Sequence, residues 1–168
     1  MNHPPILRTN RLILRKLEVD DLRQLERLAN HRQIARYIVN ISYPYTGIQA
    51  GMRLGYVTKG FQQNTHYCFA IFDQDRQTFL GEISLHLTDT KQQVAELGYW
   101  IGVPFWNQGF ATEAIKATLE FGLSTLKLQA IYATCSSDNL GSQRVLIKNG
   151  MLKHKETPHQ LVFVQYAR

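Results

Sequence analysis

Three patterns in this amino-acid sequence predict a mixed α/β (α+β) fold with helices packed on a central sheet. Phe79 to Leu87 alternates with period two, setting Ile83, Leu85 and Leu87 on one face and Glu82, Ser84 and His86 on the other, as a strand does. Val94 to Ile101 is an apolar run that passes through a Pro/Asn/Gln/Gly turn into helical spacing at Ile115, Leu119, Leu123 and Leu126. A second apolar run, Leu128 to Cys135, follows. That is a β-α-β unit, which sets its strands parallel, whereas the strands before it follow one another as antiparallel hairpins.

Arg11 to Arg15 reads as the first strand. Asp20 or Asp21 caps a helix whose apolar residues Leu22, Leu25, Leu28 and Ala29 lie on one stripe. Tyr43-Pro44-Tyr45 is a loop, and a helix from about Gly47 to Gly60 follows, weakened by Gly51 and Gly55. His66 to Phe72 is a strand and Asp73 to Gln77 a turn; the polar Thr88 to Gln93 connection makes a hairpin with Val94 to Ile101. After Cys135 come the loop Ser136 to Asn139, a helix from about Leu140 to Asn149 stopped by Gly150, and a last strand, Leu161 to Tyr166. The predicted order is β-α-α-β-β-β-α-β-α-β. With no repeat, low-complexity tract or linker, residues 1–168 read as a single domain with its core from about residue 6 onward.

Composition narrows the function classes. With 168 residues, 44% hydrophobic and 19% charged, the chain is long enough for a proper core and ordinary for a soluble protein. No apolar run reaches membrane-spanning length and Met1 to Pro5 lacks a signal peptide's apolar centre, so a cytoplasmic protein without a membrane partner is expected. Cys68 and Cys135 sit in strand-like apolar runs without metal-ligand spacing, which reads as buried free thiols and no metal site. The net charge of +6 favours an anionic partner. Nucleic acid is one candidate and a polyphosphate cofactor another; Arg8, Arg11, Arg15, Arg32, Arg53 and Arg144 are scattered rather than run together as in a nucleic-acid tail, and charge alone does not decide between them.

The turn after Trp100 carries the functional signal. A strand feeding a helix through small residues leaves a row of backbone N–H groups free at the helix start, where they and the helix dipole suit a phosphate. Asn107, Gln108, Gly109, Phe110, Ala111 and Thr112 form that row. Gly109 and Ala111 keep side chains from holding a ligand off the backbone. A diphosphate is the predicted ligand.

Three stretches, Ala95 to Ile101, Trp106 to Ala114 and Asn139 to Gly150, resemble the GNAT acetyltransferase superfamily in its Rim-type, ribosomal-protein-alanine N-acetyltransferase-like branch. The superfamily's pyrophosphate motif, Gln/Arg-x-x-Gly-x-Gly/Ala, falls on Trp106 to Ala111 with Trp106 in the Gln/Arg place. The resemblance implies a GNAT fold: a mostly antiparallel twisted sheet, a β-α-β acetyl-CoA-binding unit and flanking helices. It also implies direct transfer of acetyl from acetyl-CoA to a primary amine, a protein N-terminus slightly preferred over a small amine or antibiotic. A homodimer is compatible with it. The competing readings are a non-catalytic acyl-CoA-binding or sensor module and, on charge alone, a nucleic-acid-binding domain.

Direct transfer needs a deprotonated amine, a donor for the oxyanion and a proton for the departing thiolate. By resemblance, Ile101 and Val103 present backbone groups to the pantetheine arm, beside their ordinary role as core aliphatics. Asn139 reads as a helix cap, and the family pattern sets its side chain against the cofactor. No tyrosine stands in Val145-Leu146-Ile147, where many relatives carry their acid, so Ser142 is the branch's alternative donor, a cofactor contact and candidate acid. Glu96 is the odd carboxylate of an apolar strand, read either as general base or as partner of a buried polar group such as His86. Glu82 and His86 are its rivals, and Thr134 stands where a relative has its base. Arg144 and Lys148 read as a solvated helix face rather than contacts to a 3′-phosphate. Tyr43, Tyr45, Tyr56 and Phe61 read as core, or as a lid near the acceptor.

Overall fold

The apolar alternation closes into one eight-stranded sheet in a computed structural model, which describes residues 4–89 and 91–167. Met1 to His3, Thr90 and Arg168 lie outside the described residues, so the Thr88 to Gln93 hairpin is followed on both sides of Thr90 but not through it, and the Met1 to Pro5 stretch only from Pro4. The strands are β1 (Leu7–Arg8), β2 (Leu12–Lys16), β3 (His66–Asp73), β4 (Phe79–Asp89), β5 (Val94–Ile101), β6 (Ala130–Ser136), β7 (Leu152–Glu156) and β8 (Gln160–Tyr166). In space they run β1-β2-β3-β4-β5-β6-β8-β7, and β5 with β6 is the parallel pair among antiparallel neighbours. The helices are α1 (Leu22–Ala29), α2 (Arg32–Tyr37), α3 (Gly47–Gln63), α4 (Phe110–Glu120) and α5 (Leu140–Lys148).

Side chains alternate across a strand, so the sheet buries two cores. Under α4 and α5 lie Ile83, Leu85, Leu97, Ile115, Leu146 and Phe163. Under α1, α2 and α3 lie Leu25, Leu28, Ile34, Val57, Phe79 and Trp100. Each such side chain contributes about 1.5–3 kcal/mol by leaving water. Among the described residues no helix is long and apolar enough to cross a membrane.

Four features lie outside the sequence pattern. β1 and α2 are too short to show a period, and α2 is set by His31, whose ring accepts a hydrogen bond from the Gln33 N–H. β7 (Leu-Lys-His-Lys-Glu) is exposed throughout and takes strand form by pairing with β8. The helix expected to run to Leu126 leaves α geometry in a π turn, Phe121–Thr125, where Gly122 lets the chain press on Ile131. Last, the polar face of β4 is not solvated: Glu82 and Ser84 are buried beneath the α3 layer.

Candidate active site

β5 and β6 pair at Val94–Ala130, Ala95–Ile131 and Glu96–Tyr132, and then part. β5 runs on to Ile101 and β6 to Ser136, so a wedge opens between them. The Gly102 N–H bonds Leu80 O at 2.8 Å on the β4 side. Because N–H direction alternates along a strand, the Ile101 N–H faces the open edge. The Trp106 indole N–H donates to Ile101 O at 2.6 Å, folding the ring back to brace the turn.

A single helical turn, Val103–Phe105, leads to the start of α4. Asn107 (φ 59°) and Gly109 (φ 81°) adopt left-handed backbone, the second at a site glycine fills without strain. No side chain caps α4, which leaves the N–H groups of Phe110, Ala111 and Thr112 without intrahelical partners. Arg11 locks this turn: its Nε meets Glu113 at 2.7 Å, its Nη1 donates to Gln108 O at 3.0 Å, and its guanidinium lies 4.6 Å over the Phe110 ring. A Cβ built on Gly109 would stand 3.3 Å from Arg11 Nη2, so a cation flanks the open amides. Burial alone would raise the Glu113 carboxyl, but hydrogen bonds from Thr9 and Arg11 bring it below its ordinary value.

Two clusters flank the wedge on opposite faces. On the α4/α5 face, Asn139 Oδ1 accepts the Ser142 N–H at 3.1 Å, capping α5, and Ser142 Oγ lies 2.7 Å from Tyr99 OH. Burial pushes the Tyr99 phenol up to about 12 despite the Ser142 hydrogen bond, so Tyr99 stays neutral. The Cys135 thiol, also raised by burial, adjoins Ser142. On the α3 face stand Glu96, His86, Tyr132 and Thr134, alternating with the core residues of their strands. Glu96 sits on the last paired rung, at the apex of the wedge.

Residues 11–152 match the sequence profile of the acetyltransferase (GNAT) domain. This chain belongs to the GNAT family. A GNAT fold, an acyltransferase and, by its relatives, an N-acetyltransferase are thereby established. The uncharacterized N-acetyltransferase YoaA of Bacillus subtilis is 31% identical over 89% of this chain and 84% of its own. The ribosomal-protein-serine acetyltransferase of Escherichia coli is 29% identical over 50% of this chain and 46% of its own. The spermidine N-acetyltransferase of Vibrio cholerae, solved with CoA and spermine, shares the fold at a TM-score of 0.80 and 21% identity, over 94% of this chain and 96% of that one.

Within this GNAT enzyme Tyr99 and Ser142 meet on one face of the wedge. Glu96 stands on the other face at the apex, five residues before Ile101 on the same strand, which leads to the turn from Val103 to Thr112. Two readings need correction. Glu96 is half-buried rather than desolvated, and no side-chain hydrogen bond to His86 forms, although the two residues pair in register. The His86 ring is instead taken by Tyr56 OH (3.2 Å) and Ser84 Oγ (3.0 Å), and burial, with His66 and Arg53 nearby, lowers it to about 4. The buried carboxylate is Glu82, held by Arg53 Nε at 3.2 Å and the Trp100 indole N–H at 3.1 Å. Burial alone would lower Arg53, but the Glu82 carboxylate beside it outweighs that and holds it charged, so Arg53 offsets Glu82, and both ring nitrogens of His86 are already engaged. Arg144 and Lys148 are exposed on α5, and Tyr45 is core. Sequence reasoning missed Tyr99 and Arg11: Tyr99 stands inside the Ala95 to Ile101 stretch, and Arg11 was visible only as one scattered cation.

Proposed function

We propose that this N-acetyltransferase carries acetyl from acetyl-CoA to the primary amine of a protein N-terminus, in preference to a small amine or antibiotic. The wedge between β5 and β6, with Ser142 on one face and Glu96 on the other, carries the reading. Bound acetyl-CoA supplies the thioester. The Phe110, Ala111 and Thr112 amides, beside Arg11, hold the diphosphate, while Asn107, Gln108 and Gly109 shape the turn. Ile101 and Val103 line the pantetheine arm with backbone, and the open-edge Ile101 N–H donates to the oxygen that gains charge. Glu96 takes the amine proton from the opposite face. Ser142 Oγ–H gives a proton to the departing sulfur as water returns one to Oγ; Tyr99 OH lies 2.7 Å from Oγ, and with Tyr99 as the donor the serine hydrogen points at the sulfur. Asn139 fixes the turn that presents Ser142. A relative that acts on a ribosomal-protein serine supports the protein N-terminus.

The test measures coenzyme A release by the purified protein with acetyl-CoA and a panel of N-terminal peptides, an aminoglycoside and a polyamine. Steady release, fastest with peptides, is expected. Tight acetyl-CoA binding without turnover on any amine would make the chain an acyl-CoA sensor. Salt-sensitive RNA or DNA binding that acetyl-CoA does not compete would favour the nucleic-acid reading.

A further inference from the structure

Resting on that acetyl-transfer reading, we infer that the acceptor is an acidic peptide, its free amine followed within a few residues by Asp or Glu. From Arg27 to Phe72 the chain contains no Asp or Glu, against Arg27, Arg32, Arg36, Arg53 and Lys59. This stretch makes α2, the loop after it and α3, the layer over the sheet face on which Glu96 stands. Two of the carboxylates packed against that layer are paired with its own arginines. Glu82 is held by Arg53 at 3.2 Å. Asp138 is held by Arg36 at 2.7 Å. Glu26 lies against Gly47 at the positive end of α3.

The Arg36–Asp138 pair also gives the layer its place. It ties α2 to the loop between β6 and α5, which sets α2 beside the β6 edge of the wedge's mouth. Arg32 is one turn earlier on the same helix and exposed, its guanidinium 5.0 Å over the Tyr43 ring, with no ion-pair partner among the described residues. Glu96, at the apex where the amine must arrive, likewise has no ion-pair partner among the described residues. The site therefore offers one carboxylate at its base and surplus positive charge at its entrance. A polyamine or basic peptide meets like charge on approach. An acidic segment trailing an amine meets Arg32 while the amine reaches Glu96.

Three peptides with the same first two residues, continued by Asp/Glu, by Ser/Gln or by Lys/Arg, are compared by kcat/KM from coenzyme A release, with spermine as a fourth acceptor. The acidic peptide should exceed the basic one by about tenfold at low salt, a gap that closes toward about 0.5 M salt. Arg32→Glu should shrink the ratio by at least about threefold, through KM rather than kcat. Basic peptide or spermine turned over equally well or better, or a ratio indifferent to salt, overturns the acidic acceptor and leaves acetyl transfer standing. Acetyl-CoA binding with no release on any acceptor overturns both. If Arg32→Glu does not fold, Arg32→Gln and the salt series on the native protein decide.

Discussion

Three of the four glycines of α3, Gly51, Gly55 and Gly60, should respond to alanine with opposite signs. A Cβ on Gly60 would stand 2.2 Å from His66 Nε2 and 2.3 Å from its Cδ2. The ring has nowhere to retreat: it stacks on Tyr56 at 4.0 Å, its Nε2 lies 3.0 Å from Tyr56 O, and His86 stacks beyond it at 5.3 Å. Gly60→Ala then costs about 1–3 kcal/mol of overpacking and about 0.5–1.5 for the hydrogen bond, offset by about 1 of helix propensity. The net loss is about 0.5–3.5 kcal/mol, a fall of roughly 1–14 °C in Tm for a chain of this size. Gly51 and Gly55 have nothing within 4 Å of a built Cβ, so alanine there should stabilise by about 0.5–1 kcal/mol each. Urea and thermal melts of the three variants beside the native protein read the signs directly. A Gly60→Ala protein as stable as Gly55→Ala would refute the packing of His66 against α3. Adding His66→Ala to Gly60→Ala should recover part of the loss, because the clash is gone.

Gly109→Asp sets a carboxylate beside Arg11 and the open amides, and should weaken acetyl-CoA at least about tenfold by calorimetry; an unchanged Kd removes the phosphate assignment. Ser142→Ala should lower kcat about 10–100-fold with little change in acetyl-CoA affinity. Tyr99→Phe should cost less and add nothing in the double variant, because Tyr99 acts through Ser142; independent, additive losses would separate them. Glu96→Gln should lower kcat about 10–100-fold with acetyl-CoA affinity kept, and an unchanged kcat would assign the proton to water or an already neutral amine. Stability should fall as pH drops from about 6.5 toward 4, because His86 takes its proton near 6.5 when unfolded but only near 4 when folded, so the unfolded state binds protons first. That displacement corresponds to at most about 3 kcal/mol, and to about 1–2 once solvent screening of the partly exposed ring is allowed for. Urea midpoints at pH 7.5 and 5 check it; a midpoint that does not fall, or that falls equally in His86→Gln, would remove His86 as the cause.

Strand and helix positions were legible wherever a period lasted several residues, as in β4, β5, α1 and α4. They were illegible where form comes from a neighbour, as in β7, which has no apolar face and exists by pairing with β8. The anion turn was readable because its chemistry is local: backbone amides at a helix start need small residues in sequence, and Gly109 and Ala111 announce them. The acid–base pair was half readable. Ser142 and Glu96 could be named one by one, but the neutral tyrosine behind Ser142 and the release of Glu96 from His86 depend on partners far along the chain.

By itself, then, the sequence determined the order of the longer elements, the GNAT family and the donor turn, because period and short motifs are properties of neighbouring residues. Tertiary structure decided which carboxylate is neutralised and which is free. Glu82 and Glu96 look alike on paper, yet the cation from α3 reaches only Glu82. Pairing across the sheet and between layers sets that difference, and charge acts through space rather than along the chain.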